Sequence, residues 1–588
     1  MNRILLLVGA MQGWALWALW KAREIKVWPA VDPLSERALL YLSLALPLGF
    51  YLTQNIETLS RNRRIKFLLW IGTLFTFLGG YSGWAENIPV EPSSYIWSNP
   101  PARSSDLLAA GILGFIFIPL LVHFEYSTKR WSYHSLFETA WRNALMTVSS
   151  LGLTGVFWIV LFAGSMLMQS IGVNFISELI KKPIFSIPVT GIVFGAAFAL
   201  SLARSQMIVT LRRFWLSISS WLLPLLLAFS IIWVVALPFT GLELLFKTRN
   251  ACFILLWFVA LSINFVNAAY QDGAGEQPYG ELLSKLLQYA WFSLIALVVV
   301  AWWAMMLRIN QYGWTEERVW GVFVLVLTTL YVVGYAYSVR SSKVWFSNIG
   351  VTNIATSLVM SMGLILLLSP IADARRIAVH SQMLRLMSGQ VEPEKIDYAY
   401  FRWQAGRYGQ DALQTLADGI NHKDRDIISS KAKQTLAQKQ RYETKNGAES
   451  LTVEQMRQRL RVAPQGEKLD DSLIKVMQSG KQWQESRCMA TDVQCLVWMI
   501  DLNNDGLKEA VVIIIEKQGL PSGNAIFYNH LSKDQYRYGG WINFGYGNDQ
   551  KLREKLIADI EQGKVKTTAP KFNDIEIEGK RISVIATE

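Results

Sequence analysis

The chain has 588 residues, of which 52% are hydrophobic and only 17% are charged, and its formal net charge at pH 7 is +12. Average soluble domains carry roughly 25% charged residues, so this composition excludes an ordinary soluble protein. Many of the basic residues flank long apolar runs, as topology signals of membrane proteins do, which argues against nucleic-acid binding. The lipid bilayer is therefore the expected partner, nucleic acid is not expected, and no particular protein partner is indicated.

Up to about residue 371 the sequence is a series of apolar runs, and a helix of roughly 20 such residues crosses a hydrocarbon core of about 30 Å. The first run starts with Arg3 but ends without a small-residue cleavage site, which favours a retained helix over a signal peptide. The amphipathic segment 133–145 is predicted to lie at the membrane interface. Eleven spans are predicted, at residues 4–20, 38–54, 66–84, 107–124, 146–169, 185–203, 214–237, 251–269, 287–307, 319–338 and 351–371.

The loops between these spans alternate between rich and poor in lysine and arginine. The richer set includes Arg61, Arg63, Arg64, Lys66, Lys129, Arg130, Arg142, Arg204, Arg212, Arg213, Lys285, Arg340 and Lys343. The positive-inside rule places this set in the cytoplasm, although the basic loop 21–37 belongs to the other set. Nine spans follow the basic loop 61–66, so the polar tail is predicted to lie outside the cytoplasm.

Ionisable residues are nearly absent from the middle of the predicted spans, where they would mark an ion or proton path. The best candidates for an intramembrane polar site are Asn264 and Asn267, both in the span 251–269. Two interpretations stay open for them, hydrogen bonding between helices and contact with a substrate.

The predicted fold class is mainly α, with three regions along the chain. A polytopic helical membrane domain occupies residues 1–371, and a soluble helical region follows at 372–483. From residue 484 the apolar residues alternate as they do in strands, which predicts a small antiparallel α+β domain at 484–588.

A candidate calcium loop, "DLNNDGLKE", lies inside this last domain. Its potential oxygen ligands are Asp501, Asn503, Asp505, the backbone carbonyl of Leu507, and Glu509. The spacing suits calcium, but Val512 replaces the glutamate that an EF-hand needs at its twelfth position, so an EF-hand is excluded. Weak calcium binding, as in extracellular modules, and a plain hairpin turn without metal both fit the loop. No other cofactor is expected.

Cys488 and Cys495 are seven residues apart, just before this loop. An oxidising compartment would allow them to form a disulfide, whereas in the cytoplasm they would stay reduced. Inert thiols are the alternative, and a metal site has little support because no other cysteine or histidine lies nearby.

Two segments resemble a known family. "YGWTEER" at 312–318 and "GRYGQDAL" at 406–413 are similar to the bacterial membrane family catalogued as domain of unknown function 4153. The resemblance implies a polytopic inner-membrane protein without an established activity, so it supplies no catalytic residues. In a protein of the inner membrane, the tail that the basic loops predict outside the cytoplasm would lie in the periplasm.

The functional hypotheses differ in what the spans do. The first is an envelope protein whose spans hold a periplasmic domain for sensing, binding or assembly. The alternative is a transporter or permease of an uncharged or lipid-like solute, for which a cavity among the spans between 251 and 338 would be expected. An enzyme has little support, because the sequence contains no HExxH, GxSxG or Walker motif.

Overall fold

The computed structural model describes residues 3–54, 56, 59–86, 103–125, 130–248, 250–271, 273, 278–341, 346, 348–438, 453–467, 469–479, 488, 494–515, 524–532, 535–543, 550–567, 575–577 and 580–582. The chain forms two compact units, Met1–Arg441 and Tyr442–Glu588. This division follows packing, whereas the predicted boundaries at 371 and 483 follow composition and periodic pattern and stay a prediction.

The first unit is a bundle of helices joined by short connections, with one two-stranded pair. Its elements up to residue 367 are α1 (Arg3–Glu24), α2 (Pro33–Thr53), α3 (Arg61–Glu86), α4 (Ser104–Val122), β1 (Phe124–Glu125), β2 (Arg130–Trp131), α5 (Tyr133–Ser170), α6 (Phe175–Lys181), α7 (Pro183–Ala203), α8 (Ser205–Thr240), α9 (Glu243–Lys247), α10 (Ala251–Tyr270), α11 (Glu281–Ala290), α12 (Ser293–Tyr312), α13 (Glu316–Ser341) and α14 (Ile349–Leu367).

Within the described residues, ten helical segments are long and apolar enough to cross a membrane, which confirms a multi-pass membrane protein. They are α1, α3, α4, α5, α7, α8, α10, α11 with α12, α13 and α14. The predicted span 38–54 falls in α2, whose first turns carry Glu36 and Arg37. Arg37 bonds to Ser82 near the end of α3, and Gly49 faces Leu68 near its start, so α2 runs antiparallel alongside α3.

The amphipathic segment 133–145, which was predicted to lie at the membrane interface, is continuous with the span that follows it. It forms the beginning of α5, a continuous helix of 38 residues. The side chain of Ser132 caps this helix by accepting a hydrogen bond from the Ser135 N–H, and no proline interrupts it. At 1.5 Å per residue, α5 is about 57 Å long, so it extends well beyond the hydrocarbon core.

Two helix pairs pack closely because glycine allows their backbones to meet. Gly9 of α1 and Gly191 of α7 face each other, and a Cβ on either would collide with the other's carbonyl oxygen. In the second pair, a Cβ at Gly83 of α3 would collide with the backbone of Pro33 at the start of α2. Small residues at helix interfaces are a common means of tight packing in membranes.

The helices that follow the last span pack onto one end of the bundle. They are α15 (Ala374–Met387), α16 (Tyr398–Trp403), α17 (Gly406–Asp418) and α18 (Arg425–Ala437), with a 3₁₀ turn at Pro393–Lys395. Leu386, Phe401, Leu413 and Ile428 form their common core. These helices belong to the first unit because they also contact the ends of α3 and α13.

The second unit is a small α+β domain. It comprises α19 (Val453–Arg459), β3 (Arg461–Ala463), α20 (Asp471–Ser479), β4 (Gln494–Ile500), β5 (Glu509–Ile515), β6 (Asn524–Ser532), β7 (Gln535–Asn543), α21 (Gln550–Glu561), β8 (Ile575–Ile577) and β9 (Lys580–Ile582). The five-stranded sheet has the order β3-β4-β5-β6-β7, and β8 pairs with β9. The sheet is mixed rather than purely antiparallel, since β3 runs parallel to β4.

Both faces of this sheet are covered, which explains why the unit begins before residue 484. Met456 of α19 and Ile474 of α20 share a core with Val497 and Val512. Ile560 of α21 packs against the opposite face of the sheet. Because β4 and β5 are buried on both faces, they consist of nearly continuous apolar runs.

Candidate functional site

The predicted calcium loop is the hairpin between β4 and β5, whose strands pair up to Ile500 and Glu509. Oδ2 of Asp501 accepts a hydrogen bond from the Gly506 N–H at 3.0 Å. Oε2 of Glu509, which is only 1% exposed, accepts one from the Leu502 N–H at 2.7 Å. Both carboxylates therefore bind backbone groups of the hairpin itself.

The tip of the hairpin is closed in the same way. The Asp505 N–H donates to Oδ1 of Asn503 at 3.0 Å, and the Leu507 N–H donates to Oδ1 of Asp505 at 2.7 Å. No group of three or more His, Cys, Asp or Glu side chains is placed to hold a metal ion anywhere in the residues that the structure describes. The hairpin is thus fully formed through its own hydrogen bonds, and calcium binding stays a prediction.

Cys488 and Cys495 are joined by a disulfide in the second unit. The two residues are 4% and 2% exposed and belong to the core between the sheet and α20. The bond therefore ties the segment before β4 to the interior of the domain. Cys252 of α10 is a free cysteine.

The two asparagines of the predicted intramembrane polar site have different surroundings. The Asn267 side-chain amide donates to the Tyr335 hydroxyl at 2.7 Å, and its oxygen accepts from the Asn353 amide at 2.6 Å. The Asn353 amide also donates to the Tyr133 hydroxyl at 2.8 Å. This polar network joins α5, α10, α13 and α14, whereas Asn264 is exposed on the surface of α10.

Removal of the Asn267 side-chain amide, which links Tyr335 and Asn353, should destabilise the helix bundle. We expect Asn267→Ala to lower the free energy of unfolding by about 1–2 kcal/mol, because the buried hydroxyl of Tyr335 and the amide of Asn353 each lose a partner. Asn264→Ala removes the same atoms three residues away and should change stability by less than about 0.5 kcal/mol. Thermal unfolding of both variants in detergent measures the difference, and equal effects would contradict a stabilising role for the network.

A buried ion pair lies where the last span meets the docked helices. Asp373 and Arg375 are 2% and 6% exposed, and Nη2 of Arg375 lies 2.6 Å from Oδ2 of Asp373. The Tyr81 hydroxyl, from α3, donates to the same carboxylate oxygen at 2.6 Å and lies 3.0 Å from the Tyr408 hydroxyl of α17. Burial by itself raises the pKa of Asp373, but its hydrogen bonds with Arg375 and the arginine's charge outweigh this and lower it.

Further contacts around this pair fix the docked helices in place. Arg103, just before α4, forms an ion pair with Glu316 of α13 at 2.6 Å, and the Tyr400 hydroxyl donates to the same glutamate at 3.0 Å. The Arg407 guanidinium lies 4.5 Å from the centre of the Trp84 ring. We call the contacts of Asp373, Arg375, Arg103, Glu316, Tyr81, Tyr400, Tyr408, Arg407 and Trp84 the docking cluster.

A half-open cavity of about 490 Å³ lies among the membrane helices and opens at the surface of the bundle, where its lining residue Leu151 is 58% exposed. It is lined by residues of α1, α2, α3, α4, α5 and α7, namely Gln12, Gly13, Leu16, Tyr41, Leu44, Ala45, Leu48, Tyr51, Ile71, Phe75, Leu107, Ala110, Gly111, Gly114, Ile118, Thr147, Leu151, Thr154, Ile187, Thr190, Gly191 and Phe194. We call it the membrane cavity. The close-packed pairs α1–α7 and α2–α3 both contribute to its wall, and α4 and α5 complete it.

The walls of the membrane cavity are apolar, with few polar side chains free to meet a ligand. The hydroxyls of Thr154 and Thr190 donate to carbonyls of their own helices at 2.7 Å. The Thr147 hydroxyl is buried and has no hydrogen-bond partner among the residues that the structure describes. Gln12 lines both this cavity and a neighbouring apolar groove of about 800 Å³ between α1, α2 and α3. The cavity therefore suits an apolar molecule with at most one or two polar groups.

The family described as Domain of unknown function (DUF4153) matches residues 38–418, more than half of the chain. The chain belongs to this family. We found no significant match among curated proteins or among solved structures. The DUF4153 region begins within α2 and ends at Asp418, the last residue of α17, so it includes the spans from α3 onward and the docked helices α15, α16 and α17.

The two segments that carry the DUF4153 resemblance meet at the docking cluster. Glu316 belongs to "YGWTEER", while Arg407 and Tyr408 belong to "GRYGQDAL". In the sequence analysis, the basic residues beside the apolar runs were interpreted as topology signals and none of them was paired with an acidic residue, so the docking cluster was missed. The presence of both segments in one chain was the only hint that they share a site. A single sequence does not reveal which of their charged residues form contacts.

Proposed function

We propose that this DUF4153 protein is a bacterial inner-membrane protein that binds a lipid-like molecule within its bundle and holds a periplasmic domain at the cell envelope. The membrane cavity carries this proposal. Its volume falls within the range of about 300–1,000 Å³ for small-molecule sites, and its walls are apolar with a few hydroxyl groups. An acyl or isoprenoid chain can pack against such apolar walls. Gln12 and Thr147 could form hydrogen bonds with the polar headgroup of the same molecule.

The region in which a transport path was expected is packed instead. The helices α10, α12 and α13 share a hydrophobic core in which Val259, Leu294 and Leu325 are completely buried. A route for solute through this part of the bundle lacks support. A binding role is therefore favoured over the transporter alternative, which now depends on the membrane cavity alone.

The periplasmic position of the second unit rests on two observations. Alternate loops differ in their basic residues, and the positive-inside rule then favours a position of the last span's end outside the cytoplasm. The disulfide between Cys488 and Cys495 suits an oxidising compartment. The inner membrane itself is inferred from the resemblance of the chain to bacterial membrane proteins.

A glycine that lines the membrane cavity provides a direct test. A Cβ at Gly111 meets nothing within 4 Å, so Gly111→Leu should fill part of the cavity without a backbone collision. We expect the variant, extracted in a mild detergent, to lose at least about nine tenths of a co-purifying lipid-like molecule, since overlap with four side-chain carbons would cost a ligand several kcal/mol. Native mass spectrometry with lipid extraction measures the bound fraction.

The matched control is Gly155→Leu, on the exposed surface of α5. A Cβ at Gly155 also meets nothing within 4 Å, but this residue does not line the cavity. Bound molecule should be retained in the control. Equal retention by both variants, or no bound molecule in the unaltered protein, would contradict the proposed function.

A further inference from the structure

A second, chemically different groove lies at the end of the bundle that carries the docked helices. It has a volume of about 980 Å³ and is lined by residues from the end of α12, the connection to α13, and α15. Ile309, Trp314, Arg376, His380, Leu384 and Arg385 are among its lining residues. We call it the basic groove. Since α12 ends at Tyr312 and α13 begins at Glu316, the groove lies at the level where spans leave the membrane.

The charge of the basic groove is positive. Arg376, Arg385 and His380 line it, and none of its described lining residues is acidic. Arg308 and Arg318 stand beside it, with both guanidinium groups over the Tyr312 ring at 5.8 and 5.5 Å from its centre. The positive charges of Arg308 and Arg385 repel the Arg318 guanidinium, and the Glu317 carboxylate attracts it. Arg318 therefore has two basic neighbours and one acidic neighbour, and this side of the groove keeps a net positive charge.

The two arginines that line the groove bind only neutral groups among the described contacts. Arg385 donates to the carbonyls of Asn310 and Gln311 at 3.3 and 2.8 Å, and its Nε is buried without a partner. Arg376 donates to the carbonyl of Pro370 at 2.9 Å. Carbonyl oxygens orient a guanidinium but leave its full charge available, so an anion can still be stabilised there.

Apolar side chains adjoin these charges. Leu384 is 53% exposed and Ile371, which follows α14, is 71% exposed, and both line the groove. Exposed apolar side chains beside arginines at the membrane boundary fit a phospholipid, with its phosphate on the arginines and its chain along the apolar side. A soluble anion would leave the apolar side uncovered.

We propose that the basic groove binds the headgroup of an anionic phospholipid from the leaflet that it borders. The inference is independent of the membrane cavity, because the two sites share no lining residue. It assigns the docked helix α15 a second role, that of a membrane-surface contact.

The test uses the full-length protein in detergent and titrates it with phosphatidylglycerol or with phosphatidylcholine of the same chains, with native mass spectrometry as the readout. We expect preferential binding of phosphatidylglycerol. Arg376→Gln should weaken it about 5-fold, and Arg376→Gln combined with Arg385→Gln about 30-fold. If the double variant unfolds, the single substitution at exposed Arg376 still decides the matter.

Arg213→Gln is the control, since this exposed arginine lies at the start of α8, far along the chain from the groove. It removes the same charge and should change phosphatidylglycerol binding by less than 2-fold, roughly the limit expected for a distant, screened charge. Equal binding of both lipids, an equal loss in the control, or full competition by millimolar inorganic phosphate would overturn the proposal. Gly111→Leu should leave this binding unchanged, which separates the result from that for the membrane cavity.

Discussion

Asp373→Asn is expected to destabilise the first unit by about 3–5 kcal/mol, because it leaves the buried guanidinium of Arg375 without its counter-ion. Asparagine keeps the volume of the side chain and can still accept the hydrogen bond from the Arg375 N–H that caps α15. The loss of stability therefore measures the contribution of the Asp373–Arg375 ion pair rather than that of the helix cap. Thermal unfolding in detergent, together with limited proteolysis between α14 and α18, measures it.

Two further variants make this prediction specific. Asp411→Asn removes an exposed carboxylate from α17 and should change stability by less than about 0.5 kcal/mol. Arg375→Met in the Asp373→Asn background should restore much of the lost stability, because it removes the uncompensated buried charge. If Asp373→Asn is no worse than Asp411→Asn, the docking cluster does not hold the helices on the bundle.

The same pair has a defined pH dependence. Because the bonds to Arg375 lower the pKa of Asp373 from its ordinary value of 3.8, the unfolded state takes up its proton first as the pH falls. The pair's contribution is thus complete at neutral pH and is lost only as the pH drops below the usual aspartate range. Between pH 6 and 8 the docked helices should stay equally protected from protease.

The second large effect is expected from the disulfide of the second unit. Replacement of both Cys488 and Cys495 by alanine should destabilise that unit by about 2–3 kcal/mol, as the chain-entropy relation gives for a loop of this length. The readout is proteolysis of the full-length protein, in which cleavage should increase within Tyr442–Glu588 and stay unchanged in the bundle.

The disulfide also reports the compartment. The chain has three cysteines, so a maleimide polymer added to denatured protein from whole cells should label only Cys252 if the pair is oxidised in the cell. The Cys252→Ser variant should then show no label. Three labels on the unaltered protein, trapped with acid before lysis, would contradict a periplasmic second unit.

The sequence was sufficient for the features that depend on local pattern. Apolar runs of adequate length defined the spans, and the alternation from residue 484 predicted the sheet. Turn residues between two apolar strands indicated the loop that begins at Asp501, but Glu509, which was assigned to that loop, is the first residue of β5. The helix of 38 residues was divided in the prediction, since the amphipathic start of α5 and its apolar continuation have different periodic patterns but share one backbone.

The sequence alone did not reveal which residues far apart in the chain contact each other. The contact between Tyr81 and Asp373 joins residues separated by 292 positions, and nothing in either segment specifies the other. Asn264 and Asn267 looked equivalent, yet only the rotation of α10 decides that Asn267 faces the bundle. The membrane cavity is a gap between packed helix pairs, and a single sequence records neither their separation nor the space that remains.

The proposed function requires the membrane cavity to be a ligand site. An experimental density map of the full-length protein in lipid nanodiscs tests this directly. If the cavity holds a lipid-like molecule, elongated density that fits a chain-like molecule is expected between α1, α4 and α5, beside Gln12, Gly111 and Thr147. A map in which these helices close together and side chains occupy the space would contradict the proposed function.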